Sequence, residues 1–123
     1  MIRRESASKC EDKMSELFIN AGMPKNTAKT LVYLIQNDEA TSGDIEKSTG
    51  LRQPEVSIAV QELRRRKWVD KRDMKNEGKG RPVHRYMLVK QPDEIICAVE
   101  EEAKARIREI QRVIVDLRKE LKL

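Results

Sequence analysis

The stretch TSGDIEKSTGLRQPEVSIAVQELRRRKWV, Thr41–Val69, decides the fold. Thr41 with Asp44 three residues later has the spacing at which a hydroxyl and a carboxylate cap the start of a helix. Ile45 is the chief apolar anchor of that short helix. It is predicted to stop at Gly50, which tolerates a left-handed C-cap. Leu51-Arg52-Gln53 then makes a tight connection, and Pro54 fits the first turn of a longer helix, where its missing N–H goes unused. The longer helix is predicted to run to about Lys67. A short helix, a tight turn and a longer helix make a helix-turn-helix.

Placing the residues of the longer helix 100° apart divides it sharply. Val56, Ala59, Val60 and Leu63 share one side and are expected to face a core. Pro54, Ser57, Ile58, Gln61 and Arg65 centre on the other side. Gln53, Ser57 and Gln61 can exchange hydrogen bonds with base edges, and Ile58 can touch a thymine methyl. Arg52, Arg64 and Arg65 suit phosphate, whose contacts fix register and carry little sequence information. Taken alone, this side also fits an ordinary solvated face.

Upstream, residues 1–7 are expected to be disordered, and Ser8 with Glu11 has the spacing of a helix start. Met14, Leu17 and Phe18 then repeat at helical spacing as far as Ala21-Gly22. A second helix is expected to begin at Pro24 or to be capped by Asn26. It carries Ala28, Leu31, Val32, Leu34 and Ile35 and ends at Asn37-Asp38. Downstream the period changes to that of strands, at Trp68–Arg72 and Val83–Val89. Between them lies the polar loop DMKNEGKGRP, residues 73–82, where Gly78 and Gly80 permit positive φ. After Pro92, Asp93 is expected to cap a final helix of about 40 Å. The expected fold class is mainly α with a small β-hairpin: a winged helix-turn-helix over 8–92 and a long C-terminal amphipathic helix over 93–123.

Charge is concentrated in one segment. The chain carries 26 basic and 21 acidic residues, a net charge of +5. Residues 51–90 hold twelve basic against five acidic residues, an excess of +7, so the remainder is slightly acidic. Such a patch attracts phosphate and releases its counterions. In the expected wing Lys75, Lys79 and Arg81 surround the loop glycines, with Arg72 and Arg85 on the flanking strands. Arg81 can enter a narrow minor groove. His84 reads as a half-exposed strand residue.

On the final helix Ile96, Val99, Ala103, Ile107, Ile110, Ile114, Leu117 and Leu121 step by three and four, a heptad stripe with one stutter. Pairing with the same helix of a second copy would bury this stripe and duplicate the recognition helix. Packing back onto the first helix of its own subunit is the alternative. Cys97 is expected near the seam as a small buried group. Cys10 and Cys97 match no metal-ligand spacing and read as reduced thiols. No apolar run approaches a membrane span and no signal core is evident, so a cytoplasmic location is expected.

The segments AGMPKNTAKTLVYLIQNDEATSGDIEKSTGLRQPEVSIAVQELRRRKWV and GRPVHRYML resemble the DNA-binding domain of archaeal TrmB-type transcriptional regulators. More loosely they resemble the ArsR and MarR winged helices. The resemblance implies that Gln53, Pro54, Ser57, Ile58 and Gln61 meet the groove and that Arg81 acts in the wing. Lys67 stands where such families usually place Gly. No sugar-binding domain follows the wing and no metal-sensing cysteine pair is present, so neither effector is carried over.

No catalytic constellation or phosphate-binding glycine loop emerges, and neither an enzyme nor a cofactor is expected. The leading expectation is a homodimeric, sequence-specific regulator of transcription on double-stranded DNA. A non-specific architectural nucleic-acid binder and a winged helix used for protein interaction in the transcription machinery are the alternatives.

Overall fold

The computed structural model describes residues 3–74 and 83–123, and the side chains of 12–73 and 84–123. Five helices and a hairpin follow in the order α1 (Arg3–Asn20), α2 (Lys25–Gln36), α3 (Ser42–Thr49), α4 (Gln53–Arg65), β1 (Val69–Met74), β2 (Val83–Leu88) and α5 (Pro92–Leu121). This is a winged helix-turn-helix extended by a long helix.

Burial follows the apolar stripes. Ala28, Leu31, Val32 and Leu34 of α2 lie at the centre, against Ile45 of α3 and Val56, Ala59, Val60 and Leu63 of α4. Trp68 and Val69 close the core from the start of the hairpin. Ile95 of α5 is completely buried and closes it from the other end. Burying a Leu or Ile side chain contributes about 1.5–3 kcal/mol, so a core this small depends on each of them.

Backbone geometry at three helix ends explains how the helices turn so sharply. Gly50 ends α3 at φ 77°, its N–H donating to the Glu46 carbonyl at 2.9 Å. Gly22, after α1, has φ 111°, and the Arg106 guanidinium of α5 lies where a Cβ would project. Arg106 donates to the neighbouring Ala21 carbonyl there. At the end of α4, Lys67 takes φ 65° and the Trp68 N–H reaches back to the Leu63 carbonyl at 3.1 Å. That six-residue closure is the Schellman ending, usually built on Gly; Lys67 takes the same left-handed turn.

β1 and β2 pair antiparallel, Val69 opposite Leu88 through Met74 opposite Val83. A third backbone segment joins them: Ala40 and Tyr86 exchange both hydrogen bonds, at 3.0 and 2.8 Å. This bridge, unmarked in the sequence, anchors the hairpin to the turn before α3.

Several expectations are corrected. α1 begins at Arg3, so Ser8 and Glu11 lie inside it, and residues 3–7 are helical. Leu17, which repeats at helical spacing with Met14 and Phe18, is 57% exposed. Neither Asn26 nor Asp93 is a cap; Pro24 precedes α2, and Gln91 precedes α5 with Pro92 in the first turn. The longer helix of the motif starts at Gln53 and ends at Arg65. Cys97 is exposed, because the neighbouring Ile95 and Val99 occupy the inward side of α5.

Candidate nucleic-acid interface

Two caps hold α3 and α4 in place. The Asp44 N–H donates to Thr41 Oγ1 at 3.1 Å, and the Thr41 N–H donates to Asp44 Oδ2 at 3.0 Å. The Thr41 amide holds the Asp44 carboxyl below its ordinary range, helped by the Thr41 hydroxyl and the charges of Arg85 and Lys47. At the start of α4 the Arg52 N–H donates to Glu55 Oε1 at 2.8 Å. Glu55 thereby satisfies one of the amides that a helix start leaves open.

With α4 so fixed, Gln53, Pro54 and Gln61 are exposed, Ile58 is 68% exposed and Ser57 is half-buried. The five candidate base-reading residues therefore lie on the side of α4 away from the core. An isoleucine this exposed among polar groups is suited to a methyl or sugar surface.

The basic run Arg64–Lys67 divides into different roles. Arg64 is exposed and makes no ion pair among the described residues. Arg65 is largely exposed but forks onto Glu62, with contacts of 2.7 and 2.8 Å. Arg66 turns inward: it meets Glu62 at 3.0 Å and Glu102 of α5 at 2.5 Å, with its guanidinium 4.9 Å from the Trp68 ring centre. Hydrogen bonds from Arg65, then Arg66, hold the Glu62 carboxyl below its usual value. Arg66 is thus a tie between α4 and α5.

Lys25 and Asn26, in the first turn of α2, share a shallow depression with Glu55, Ile58 and Glu62. Sequence reasoning passed over Lys25. The available signal was a cation directly after Pro24 at a helix start that carries no acidic residue in its first turn.

On the hairpin Arg72 and Arg85 stand directly opposite one another. Like charges in that position are destabilising unless an anion lies between or beside them. Asp73 and His84 form the next pair, Oδ1 to Nδ1 at 2.5 Å, and His84 is exposed. Arg52 is exposed at the end of the turn between α3 and α4. The wing cations Lys75, Lys79 and Arg81, with Gly78 and Gly80, lie outside the described residues.

Along α5 the heptad stripe divides. Val99 packs against the core of its own subunit and Ala103 is half-buried, whereas Ile96, Ile107, Ile110, Ile114, Leu117 and Leu121 are exposed. Ile95, absent from the expected stripe, is the residue of α5 that the core takes. Val113 and Val115 are also exposed. Among the described residues there is no cluster of His, Cys, Asp and Glu able to hold a metal ion, and no helix is long and apolar enough to cross a membrane.

A helix-turn-helix with a hairpin packed behind it defines the class: a winged-helix domain carrying a long amphipathic helix. The sequence profile of the MarR family, whose winged-helix regulators bind DNA, matches residues 21–81. Among solved structures, the chain is similar to TrmBL2, an archaeal chromatin protein, at 18% identity and a TM-score of 0.59 over 91% of this chain and 40% of that one. It is similar to a possible transcriptional regulator from Methanosarcina mazei Go1 at 13% identity and 0.60, covering 93% of this chain and 88% of that one. A MarR-family transcription regulator gives 19% identity and 0.53, covering 98% and 80%. At these identities the likeness establishes the fold. This chain spans well under half of TrmBL2. No curated protein matches it in sequence.

Proposed function

We propose that this protein is a sequence-specific, double-stranded-DNA-binding transcription regulator of the TrmB/MarR kind that acts as a homodimer. In this reading residues 8–92 form the DNA-binding domain, extended by the start of α1 and closed by Ile95, and the rest of α5 carries the dimer contact. α4 enters the major groove, with Gln53, Ser57 and Gln61 at base edges, Pro54 and Ile58 against sugar or thymine methyls, and Arg52 and Arg64 on phosphate. Arg72, Arg85, Lys75, Lys79 and Arg81 belong to the wing and its approach to backbone and minor groove.

The observation that carries the proposal is the outward side of α4, where polar and small groups stand free of the core beside a basic hairpin. The test is selection of bound duplexes from a random pool, followed by affinities for the selected and a random duplex at one stated salt concentration. A ratio of about 10³ or more supports sequence reading. Gln61→Ala should compress it. A ratio near one refutes it in favour of an architectural binder, a reading that the likeness to an archaeal chromatin protein keeps in play. Binding to neither duplex would leave the protein-interaction reading. A chain ending after Arg106 keeps every α5 residue that packs on the core and should sediment as a monomer. A chain ending at Pro92 would lose Ile95 and Val99 and is no clean test.

A further inference from the structure

α1, the end of α2 and the start of α5 enclose an apolar groove whose walls include Met14, Leu17, Phe18 and Ile96. Ile96 and Leu17 are each 57% exposed there. The groove opens beside the face of α5 that meets its own core. Counting 100° per residue, it continues along α5 into the exposed Ile107, Ile110, Ile114, Leu117 and Leu121. Groove and stripe are therefore one continuous apolar surface, about 37 Å long between Ile96 and Leu121.

We infer that this surface is covered by a second copy of the chain with the two α5 helices antiparallel, so that Leu117 and Leu121 of each subunit fill the groove of the other. The inference deepens the homodimer proposed above and rests on it, and it is independent of DNA.

Two observations set the direction. The first is charge. From Asp93 to Glu102 the helix has five acidic residues and no basic one, a charge of −5. From Lys104 to Lys122 seven basic against three acidic residues leave +4. Parallel pairing lays the acidic third of one helix on that of the other. Antiparallel pairing instead brings the exposed Glu100 within one or two residues of the exposed Arg118 and Lys119 of the partner subunit.

The second is spacing. Reflected about the point between Arg108 and Glu109, Ile107 falls opposite Ile110, Ala103 opposite Ile114 and Ile96 opposite Leu121. Leu117 falls within one residue of Val99. The stripe, stutter included, is nearly its own mirror image, as a two-fold antiparallel pair requires. In a parallel pair Ile96 would meet Ile96 and each groove would lack an occupant.

Crosslinking in a Cys10→Ser, Cys97→Ser background tests this with a short bis-maleimide read on a denaturing gel. Leu17→Cys combined with Leu121→Cys should link two subunits, because the two positions meet only across the dimer. Leu121→Cys alone should not, since its copies lie about 37 Å apart in the antiparallel pair. Ile110→Cys, with copies about 4–5 Å apart along the axis, should link by itself. Linking through Leu121→Cys alone would show a parallel pair and overturn the inference. Linking at Ile110→Cys without the Leu17–Leu121 product would overturn the groove assignment and leave the dimer standing. Failure of every variant to link, with a monomer in sedimentation, would refute the dimer itself.

Discussion

Replacing Arg64 by Ala removes a guanidinium that stands exposed on α4 with no ion-pair partner among the described residues. If it neutralises one phosphate in each half-site, a homodimer loses two such contacts. Each contributes about 0.9 to the slope of log K against log salt, so the slope should flatten by about 1.8. Over a fourfold rise in salt, wild type should then lose about twelvefold more affinity than the variant. Arg65 differs because Glu62 already holds it. An exposed pair of this type contributes about 0.2–1 kcal/mol, which Arg65 must give up before it can reach phosphate. Arg65→Ala should therefore weaken binding less than Arg64→Ala. Fluorescence anisotropy of a labelled duplex, titrated at several potassium chloride concentrations, measures both quantities. An Arg64→Ala slope equal to that of wild type would refute the placement of Arg64 on the backbone. Equal losses for the two variants would show that the Glu62 contact does not restrain Arg65 in solution.

Three further outcomes concern the scaffold. Lys67→Gly should stabilise the fold by about 0.5–1 kcal/mol in urea, since a left-handed residue other than Gly costs about 1–2 kcal/mol and Gly returns part of that as chain entropy; a loss would mean that the Lys67 stem contributes packing. Ile95→Ala should cost about 2–5 kcal/mol in the same assay, and a cost below about 1 would separate α5 from the core. Asp44 and Glu62 are depressed in the folded state relative to ordinary values of 3.8 and 4.5. Their contribution is therefore present above those values and lost as pH falls through the lower folded ones. The stability difference between wild type and Asp44→Ala should shrink on acidification, and a difference that stays constant would remove the capping carboxylate from the account.

Legibility in the sequence varied with how local the cause was. α4 was readable because one helix carries both a dense apolar stripe and its opposite, and the Thr41–Asp44 and Gly50 caps are short-range. The start of α1 was not, because residues 3–7 carry no apolar period; Arg, Glu and Ala are good helix formers and extend the helix without one. Leu17 repeats at core spacing, yet periodicity does not say whether a neighbour covers it. Ile95 and Ile96 are adjacent, and only the direction in which α5 leaves Pro92 chooses between them. The role of Arg66 was hidden for a related reason: it finds Glu102 thirty-six residues further on, whereas Arg65 pairs with Glu62 only three residues away. The outward set on α4 could be picked out by angle alone, whereas Lys25 joins that neighbourhood only after α2 has folded beside α4.

Arg66 has a mechanical implication. It grips Glu62 on α4 and Glu102 on α5 at once, with Trp68 against its face. A tilt or slide of the long helix must therefore either break this clasp or drag the end of α4 along with it. Whatever grips the far end of the rod acquires leverage over the angle at which α4 is presented.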